Sequence, residues 1–431
     1  MRGDRTGHRA GPAAGAEVGG LRRWRPRPFG LLWGAGTISA LGDGVHWIAL
    51  PLLAASVTLD PRLVSLVSVA EQLPWVLFGL LAGALADRVD RRRVLWRLDL
   101  VRAGVVAVLA ATVLTDTVTL PVVLLVAFTL TSFGTVYDSA SAALVPTLVP
   151  VADRPAANGR LQAGTLVADT LLGAPVGATL FTLFAAAPFL VDTASFAIAA
   201  GLVAAIPVAA APPPARTASS GRADGAGSSV RADVVAGLRF LLGHRLLRRL
   251  CWYGALINLV TTVAVALLVL YTRDVLHLGS LGYGLLVAAF AVGGVLGSLL
   301  AGRLATVLGS RPALLSALVL GAGGATGMAL AGHPAPAGIA VGVFGAANGL
   351  WGVVAVSLRQ SLVPDALFGR VTSAFRLVTL GVGPLGALAA GFVAHRYGLR
   401  APMVCAATIL LAGTVAAPML LRRADLPSRT A

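Results

Sequence analysis

Three acidic residues interrupt long apolar stretches of the sequence. Asp43 stands in ALGDGVHW, Glu71 in VAEQLPW and Asp169 in LVADTLLG. A charge at the centre of a bilayer costs about 2.5–3.5 kcal/mol on insertion scales, so an ionisable residue there is a functional candidate. Removal from water disfavours the ionised form of a carboxyl group, which can then exchange protons near neutral pH. The three carboxylates are therefore candidates for proton coupling, in the order given, and a structural hydrogen bond is the alternative for each.

The composition around these carboxylates is that of a membrane protein. The chain is 57% hydrophobic and 12% charged, with a mean hydropathy of +0.85. Soluble globular proteins have about 25% charged residues. Lipid is therefore the expected solvent for most of the chain.

Twelve apolar runs are long enough to cross a bilayer, which requires roughly 20 residues per helix. The fold class that we predict is an all-α polytopic membrane protein with twelve transmembrane helices, which places both termini on one side. The runs lie near 29–58, 63–86, 94–114, 120–146, 161–184, 188–210, 250–271, 281–302, 312–331, 336–358, 371–394 and 401–421.

The runs fall into two groups of six, separated by a polar segment. That segment opens with three prolines and continues as ARTASSGRADGAGSS, which is typical of a flexible linker. Its end, VVAGLRFLLGHRLLRRL, predicts an amphipathic helix on the inner leaflet, with one face formed by Val235, Leu238, Leu241 and Leu242. The predicted organisation is a disordered tail at 1–28, bundles at 29–210 and 250–421, a linker at 211–249 and a tail at 422–431.

Arginine sets the expected orientation, since the sequence has a net charge of +16 and no lysine. Most arginines lie in the segments on the side of the N-terminus, and the positive-inside rule places that side in the cytoplasm. We expect a multi-pass protein of a bacterial cytoplasmic (plasma) membrane, with both termini cytoplasmic. No soluble basic domain is visible, which argues against nucleic acid as a partner.

A charged turn follows the second apolar run, and a segment of similar sequence occurs in the second group of runs. LLAGALADRVDRRRV at 80–94 aligns with LLAGRLATVLGSRPA at 299–313, with seven of fifteen positions identical. The repeat indicates a duplication of a six-helix unit. In transporters with parallel repeats the substrate site lies near the bilayer midplane between the halves.

The charged turn resembles the loop signature of the major facilitator superfamily. The matching residues are Gly83, Asp87, Arg88, Arg91 and Arg92, and the departure is Asp90, where the signature has glycine. With AGLRFLLGHRLL and LVPDALFGRV, the chain from about 29 to 421 is similar to the twelve-helix drug–proton antiporters that include macrolide and enterobactin exporters. The resemblance implies that Gly83, Asp87, Arg88 and Arg91 form a latch between the halves in the outward-open state. Asp138 is a candidate partner of Arg91, and a role as topology anchors is the alternative for the arginines.

The same resemblance implies a secondary active transporter. We expect proton-coupled efflux of a hydrophobic or amphipathic small molecule, such as a drug, an antibiotic or a siderophore. Uptake by symport is the alternative, since a fold does not set the direction of transport. The expected partners are a small-molecule substrate, protons and the lipid bilayer. The chain is expected to be a monomer. Aromatic residues suited to line its cavity are Trp47, Trp75, Tyr137, Phe290 and Trp351.

The other polar residues point to no catalytic or metal chemistry. The six histidines are scattered, Cys251 and Cys405 lie in apolar runs, and no GxSxG, HExxH or P-loop motif is present. Asp99 and Arg102 are three residues apart on one predicted helix and are expected to form a structural pair with each other. Asp192 is expected near the outer end of the sixth helix, where it faces the interface. A membrane-embedded enzyme and a receptor are therefore disfavoured, and no cofactor, metal or catalytic residue is expected.

Overall fold

The computed structural model describes residues 27–86, 90–207 and 230–420, and these ranges contain helices and no strand. The first six helices are α1 (Arg27–Val57), α2 (Pro61–Ala86), α3 (Arg91–Leu114), α4 (Leu120–Leu148), α5 and α6 (Ala187–Ala204). α5 joins the α-helical segments Arg154–Thr165 and Ala174–Leu183 through a π-helical segment, Leu166–Gly173.

Seven helices follow in the second part of the described chain. The linker helix α7 (Val230–Gly243) precedes α8, which consists of Arg245–Ala266 and Leu268–Asp274. α12 is likewise divided, into Asp365–Gly381 and Gly383–Tyr397. The others are α9 (Ser280–Val307), α10 (Ser310–Leu330), α11 (Pro334–Leu362) and α13 (Ala401–Leu420).

All helices except α7 form the twelve transmembrane helices of the predicted fold class. Among the described residues, nine are long and apolar enough to cross a membrane by length and composition, and α13 holds a shorter apolar stretch, Ala401–Ala417. α2 and α3 complete the set, and α3 is the less apolar of the two because it carries Asp99 and Arg102 in addition to the arginines near its start.

The two halves repeat one packing pattern. In the first half α3 packs against α6, and α2 against α4. In the second half the corresponding helices pack in the same way, α10 against α13 and α9 against α11. Equivalent contacts in equivalent order are what a duplicated six-helix unit produces.

The departure of the first repeat from the loop signature has a local structural reason. Gly309 precedes α10 with φ of 94°, a conformation that glycine adopts readily and other residues avoid. Asp90 occupies the equivalent place before α3 with φ of −64°, and its carboxylate accepts a hydrogen bond from the backbone N–H of Arg93. The first copy therefore uses an aspartate N-cap where the second uses a glycine turn.

α7 packs against α12 and α8, so the apolar face predicted for it is divided. Leu241 is buried and Leu238 is packed against the core of the second half, whereas Val235 and Leu242 are exposed. A Cβ atom at Gly237 would lie 2.3 Å from the carbonyl oxygen of Arg370, which explains a glycine at this contact. Part of the face predicted to meet lipid thus meets protein.

The halves are in contact at the end of the bundle where α1 finishes and α2 begins. The hydroxyl groups of Thr182 and Ser280 are 2.6 Å apart, and Arg273 Nη1 donates to the carbonyl of Ala55 at 3.3 Å. A Cβ atom at Gly391 of α12 would lie 2.9 Å from the Cα of Arg62. We call these contacts the closed end.

Asp60 contributes an ion-pair network to the closed end. Its carboxylate accepts hydrogen bonds from Arg62 and lies 3.5 Å from Nδ1 of His395 in the other half. The hydrogen bond from Arg62 lowers the pKa of Asp60 from 3.8 to about 2. Because the folded-state pKa is lowered, the stability from Asp60 is present above 3.8 and is lost only as the pH falls towards 2.

Candidate functional site

A large cavity of about 970 Å³ lies between the halves and extends from the middle of the bundle towards the end opposite the closed end. α1, α2, α4 and the first segment of α5 form most of its wall, and Arg102 of α3 and the first segment of α12 complete it. Its ionisable lining residues are Asp43, His46, Arg102, Tyr137, Asp138 and Arg376.

Arg102 is the central cation of this site. Its Nη2 donates a hydrogen bond to Asp43 Oδ1, and its Nη1 lies 3.7 Å from Asp99 Oδ1. The guanidinium also lies 4.0 Å from the centre of the Phe196 ring. α3 therefore brings to the cavity one arginine that holds two carboxylates and stacks on an aromatic ring.

The three side chains differ in their access to the cavity. The Asp43 side chain is 36% exposed, whereas those of Arg102 and Asp99 are 4% and 0% exposed. Asp43 is therefore the carboxylate of this group that the cavity exposes.

His46 connects the same site to α6. Its Nδ1–H donates to Asp192 Oδ2 at 2.8 Å, and Nδ1 lies 4.0 Å from Asp43 Oδ1. Asp192 is fully buried and also accepts a hydrogen bond from the hydroxyl of Ser195 at 3.2 Å. α1, α3 and α6 are thus linked by one polar network of buried and cavity-lining groups.

Two expectations about this network need correction. Asp99 and Arg102 do form the expected ion pair, but Arg102 also hydrogen-bonds Asp43, so the pair belongs to the candidate site. Asp192 does not face the outer interface; it is buried against His46. The sequence shows that Asp192 lies on the sixth apolar run, but this position does not indicate which helix its side chain faces.

Replacing Arg102 by glutamine is expected to destabilise the protein by about 3–5 kcal/mol, because the buried Asp99 and the half-buried Asp43 then lose their cation. Thermal unfolding of the purified protein, followed by tryptophan fluorescence, measures the change. Arg97→Gln on the exposed side of α3 is the matched control and should have little effect. A further change of Asp99 to asparagine should recover part of the loss; equal melting of Arg102→Gln and Arg97→Gln would contradict the role of the network.

A smaller cavity of about 370 Å³ lies beside the large one, and Trp75 and Thr131 line both. Glu71 faces it from α2. The aromatic residues in its wall are Trp47, Trp75, Phe290 and Phe344, from both halves of the chain.

The remaining predicted residues have different surroundings. Tyr137 lines the large cavity, but Trp351 lines neither. It is buried in the core of the second half, with its ring centre 5.9 Å from that of Tyr253. The prediction that Trp351 faces a cavity is wrong, because aromatic character does not distinguish a core position from a cavity wall.

Asp169 lies in the π-helical segment of α5 and lines neither cavity. The helices are very close here: a Cβ atom at Gly44 of α1 would lie 2.1 Å from the carbonyl oxygen of Asp169. Glycines at Gly173 and Gly177 continue this contact. The observed role of this segment is close packing of α1 on α5.

The residues predicted for the latch are only partly described. Asp87 and Arg88 lie outside the described residues, and Gly83 lies in the last turns of α2. Arg91 Nη1 donates to the carbonyl of Ala143 on α4 at 3.0 Å. Asp138, the predicted partner of Arg91, also lies on α4 and lines the large cavity.

Comparison with known proteins gives relatives that match nearly the whole chain. The multidrug efflux pump Tap of Mycolicibacterium fortuitum is 27% identical over 420 residues, which are 93% of this chain and 98% of that protein. A bacterial homologue of the iron transporter ferroportin in an inward-facing state has a TM-score of 0.69 at 17% identity, with 92% of this chain and 99% of that chain covered. A bacterial homologue of the lysosomal transporter Spinster, inward-facing and occupied, has a TM-score of 0.71 at 13% identity, with 93% and 98% covered.

A family model agrees with these likenesses and with the duplicated architecture. The model for the Major Facilitator Superfamily matches residues 32–387 and 283–431. Two six-helix halves, a cavity between them and a match over most of the sequence lead to one conclusion: the chain belongs to the Major Facilitator Superfamily and is a membrane transporter, not an enzyme.

Proposed function

We propose that the protein is a proton-coupled exporter of hydrophobic or amphipathic small molecules. The observation that carries the proposal is the bond between Asp43 and Arg102 at the wall of the large cavity. Protonation of Asp43 neutralises the partner of Arg102, so proton binding changes how α1 and α3 interact. The name of the relative, a multidrug efflux pump, supports export.

The cavity supports alternating access by one chain. It lies between the two halves, so a movement that opens the closed end would narrow it at the opposite end. With the orientation expected from the arginines, the open end faces the cytoplasm, and the structure then corresponds to an inward-facing state. The monomer is the transporting unit in this proposal, because one chain supplies both walls.

This orientation predicts the labelling of two introduced cysteines. In a background without Cys251 and Cys405, Ser219→Cys in the linker and His333→Cys before α11 should react with a membrane-impermeant maleimide from opposite sides. The linker position should react only after the membrane is permeabilised. Reaction of both positions from the same side would contradict the orientation.

We also propose that Asp87 and Arg91 latch the halves when the closed end opens. Asp87→Asn and Arg91→Ala should then reduce transport while expression and membrane insertion remain normal. Arg93→Ala is the control in the same turn, since Arg93 pairs locally with Asp90 at 3.1 Å. Normal transport by both latch variants would leave these residues as topology anchors.

The proposed function is tested first by accumulation in cells and then by transport with the purified protein. An efflux-deficient host that produces the protein should accumulate less of a set of hydrophobic antibiotics and siderophores than the empty host. Purified protein in proteoliposomes should then move a responding compound against its gradient when a pH gradient is imposed. Collapse of the pH gradient should stop this movement. Accumulation that increases in cells would instead favour the symporter, and export without proton dependence would reject the coupling.

A further inference from the structure

The wall of the large cavity holds two oppositely charged side chains that come from different halves of the chain. Asp138 lies on α4 of the first half, and Arg376 lies on the first segment of α12 in the second half. Both side chains line the cavity and are exposed. Their charges attract each other across the cavity. Each half therefore contributes one charge, of opposite sign, to the same space.

These two charges differ from Asp43 and Arg102, which are bonded to each other. In the described part of the chain, the side chains of Asp138 and Arg376 form no ion pair and no hydrogen bond with another residue. The guanidinium carbon of Arg376 lies 5.4 Å from the ring centre of Trp75 on α2, which positions the cation on an aromatic face. The carboxylate and the guanidinium therefore both remain available to a molecule in the cavity.

The first segment of α5 adds hydrogen-bonding groups to the same wall. The side chains of Asn158 and Gln162 line the cavity and are exposed. Their amide groups form no hydrogen bond with another of the described residues. Because an amide both donates and accepts hydrogen bonds, these side chains suit polar ligand atoms of either kind. Trp75 adds apolar surface beside the guanidinium of Arg376.

The two charges select among classes of ligand. A cation is attracted by Asp138 but repelled by Arg376, and the reverse holds for an anion. An uncharged molecule displaces water from both charges and replaces neither hydration shell with an ionic partner, which is costly. A molecule that carries both a cationic and an anionic group gives each side chain a charge-assisted hydrogen bond. Its apolar part can then lie against Trp75.

We propose that the large cavity binds amphipathic zwitterions, with Asp138 holding the cationic group of the ligand and Arg376 its anionic group. The volume of about 970 Å³ suits a drug-sized molecule. Because the two charges belong to different halves, one bound zwitterion bridges the halves. This inference rests on the proposed function and names its substrate class. It assigns Asp138 to ligand binding instead of pairing with Arg91.

Three fluorescent probes with the same apolar body test the proposal. Free ε-dansyl-lysine is a zwitterion, its methyl ester is a cation, and its α-N-acetyl derivative is an anion. Fluorescence anisotropy with the full chain in lipid nanodiscs, corrected for binding to empty nanodiscs, measures the affinity for each. The zwitterion should bind at least about tenfold more tightly than either blocked derivative, because only the zwitterion pairs with both charges.

Two substitutions should change the preference among the probes in opposite directions. Arg376→Gln should weaken binding of the zwitterion at least about tenfold and should not weaken binding of the cationic ester. Asp138→Asn should weaken binding of the zwitterion by a similar factor and should not weaken binding of the anionic derivative. A misfolded variant would instead lose affinity for all three probes, so the opposite selectivities distinguish lost recognition from lost structure.

Two control variants remove the same charges outside the cavity. Arg396→Gln changes an exposed arginine of α12, and Asp116→Asn changes an aspartate in an exposed turn; neither should alter the affinity for any probe. Equal affinity for the zwitterion and the two blocked derivatives would overturn the proposal, as would an unaltered affinity for the zwitterion in Arg376→Gln or in Asp138→Asn. Because binding needs no gradient, a failure of proton-driven export would not affect this result.

Discussion

Replacing Asp43 by asparagine is expected to abolish export driven by a pH gradient. Asparagine cannot exchange a proton, but its Oδ1 can still accept the hydrogen bond from Arg102, so the contact between α1 and α3 should persist. The variant should therefore insert, fold and equilibrate substrate across the membrane without accumulating it. Export under an imposed pH gradient and proton release on substrate addition, both with purified protein, measure the loss.

The control for this prediction is another aspartate outside the cavity. Asp116 lies in an exposed turn with φ of 54°, a conformation that asparagine also tolerates, so Asp116→Asn should transport normally. If Asp43→Asn keeps both gradient-driven export and proton release, the coupling site lies elsewhere. His46, which is linked to Asp43 and Asp192, would then be the next residue to change.

Joining the two halves at the closed end should stop transport completely. The hydroxyl oxygens of Thr182 and Ser280 are 2.6 Å apart, which suits the replacement of both residues by cysteine and formation of a disulfide. In a background without Cys251 and Cys405, oxidation should form this bond and prevent the closed end from opening. Transport in proteoliposomes should fall to the level of empty vesicles and return after reduction.

A second cysteine pair separates this effect from oxidation itself. Thr115 and Thr117 lie within one half, with hydroxyl oxygens 2.9 Å apart, so a bond between cysteines there leaves the halves free to move. Oxidation of that pair should not reduce transport. Unimpaired transport by the oxidised Thr182–Ser280 pair would mean that the closed end need not open.

The sequence by itself determined the class of the protein and the number of its membrane helices. Bilayer thickness demands apolar runs of a certain length, and the observed helices fall on the predicted runs, for example α4 at Leu120–Leu148 for the run 120–146. The repeat at 80–94 and 299–313 also indicated two equivalent halves. These features depend on local composition and length, which do not require knowledge of neighbours in space.

The tertiary structure decided which polar groups work together. Asp43 was a candidate from its position in an apolar run, but its bond to Arg102 joins residues 59 apart, and the bond of His46 to Asp192 joins residues 146 apart. Periodicity states that a residue is inside a helical bundle but not which helix it faces. For the same reason Trp351 was assigned to a cavity although it packs in the core.

Glu71 shows the same limit. The apolar run around it marked an unusual carboxylate, which the sequence could assign only to proton exchange or to a structural bond. Its actual surroundings include Phe290 and Phe344, more than 200 residues away along the chain, and depend on how the two halves meet. Spans and repeats follow from local chemistry and bilayer thickness, whereas the chemistry of the site follows from contacts between helices distant in sequence, which only packing in three dimensions defines.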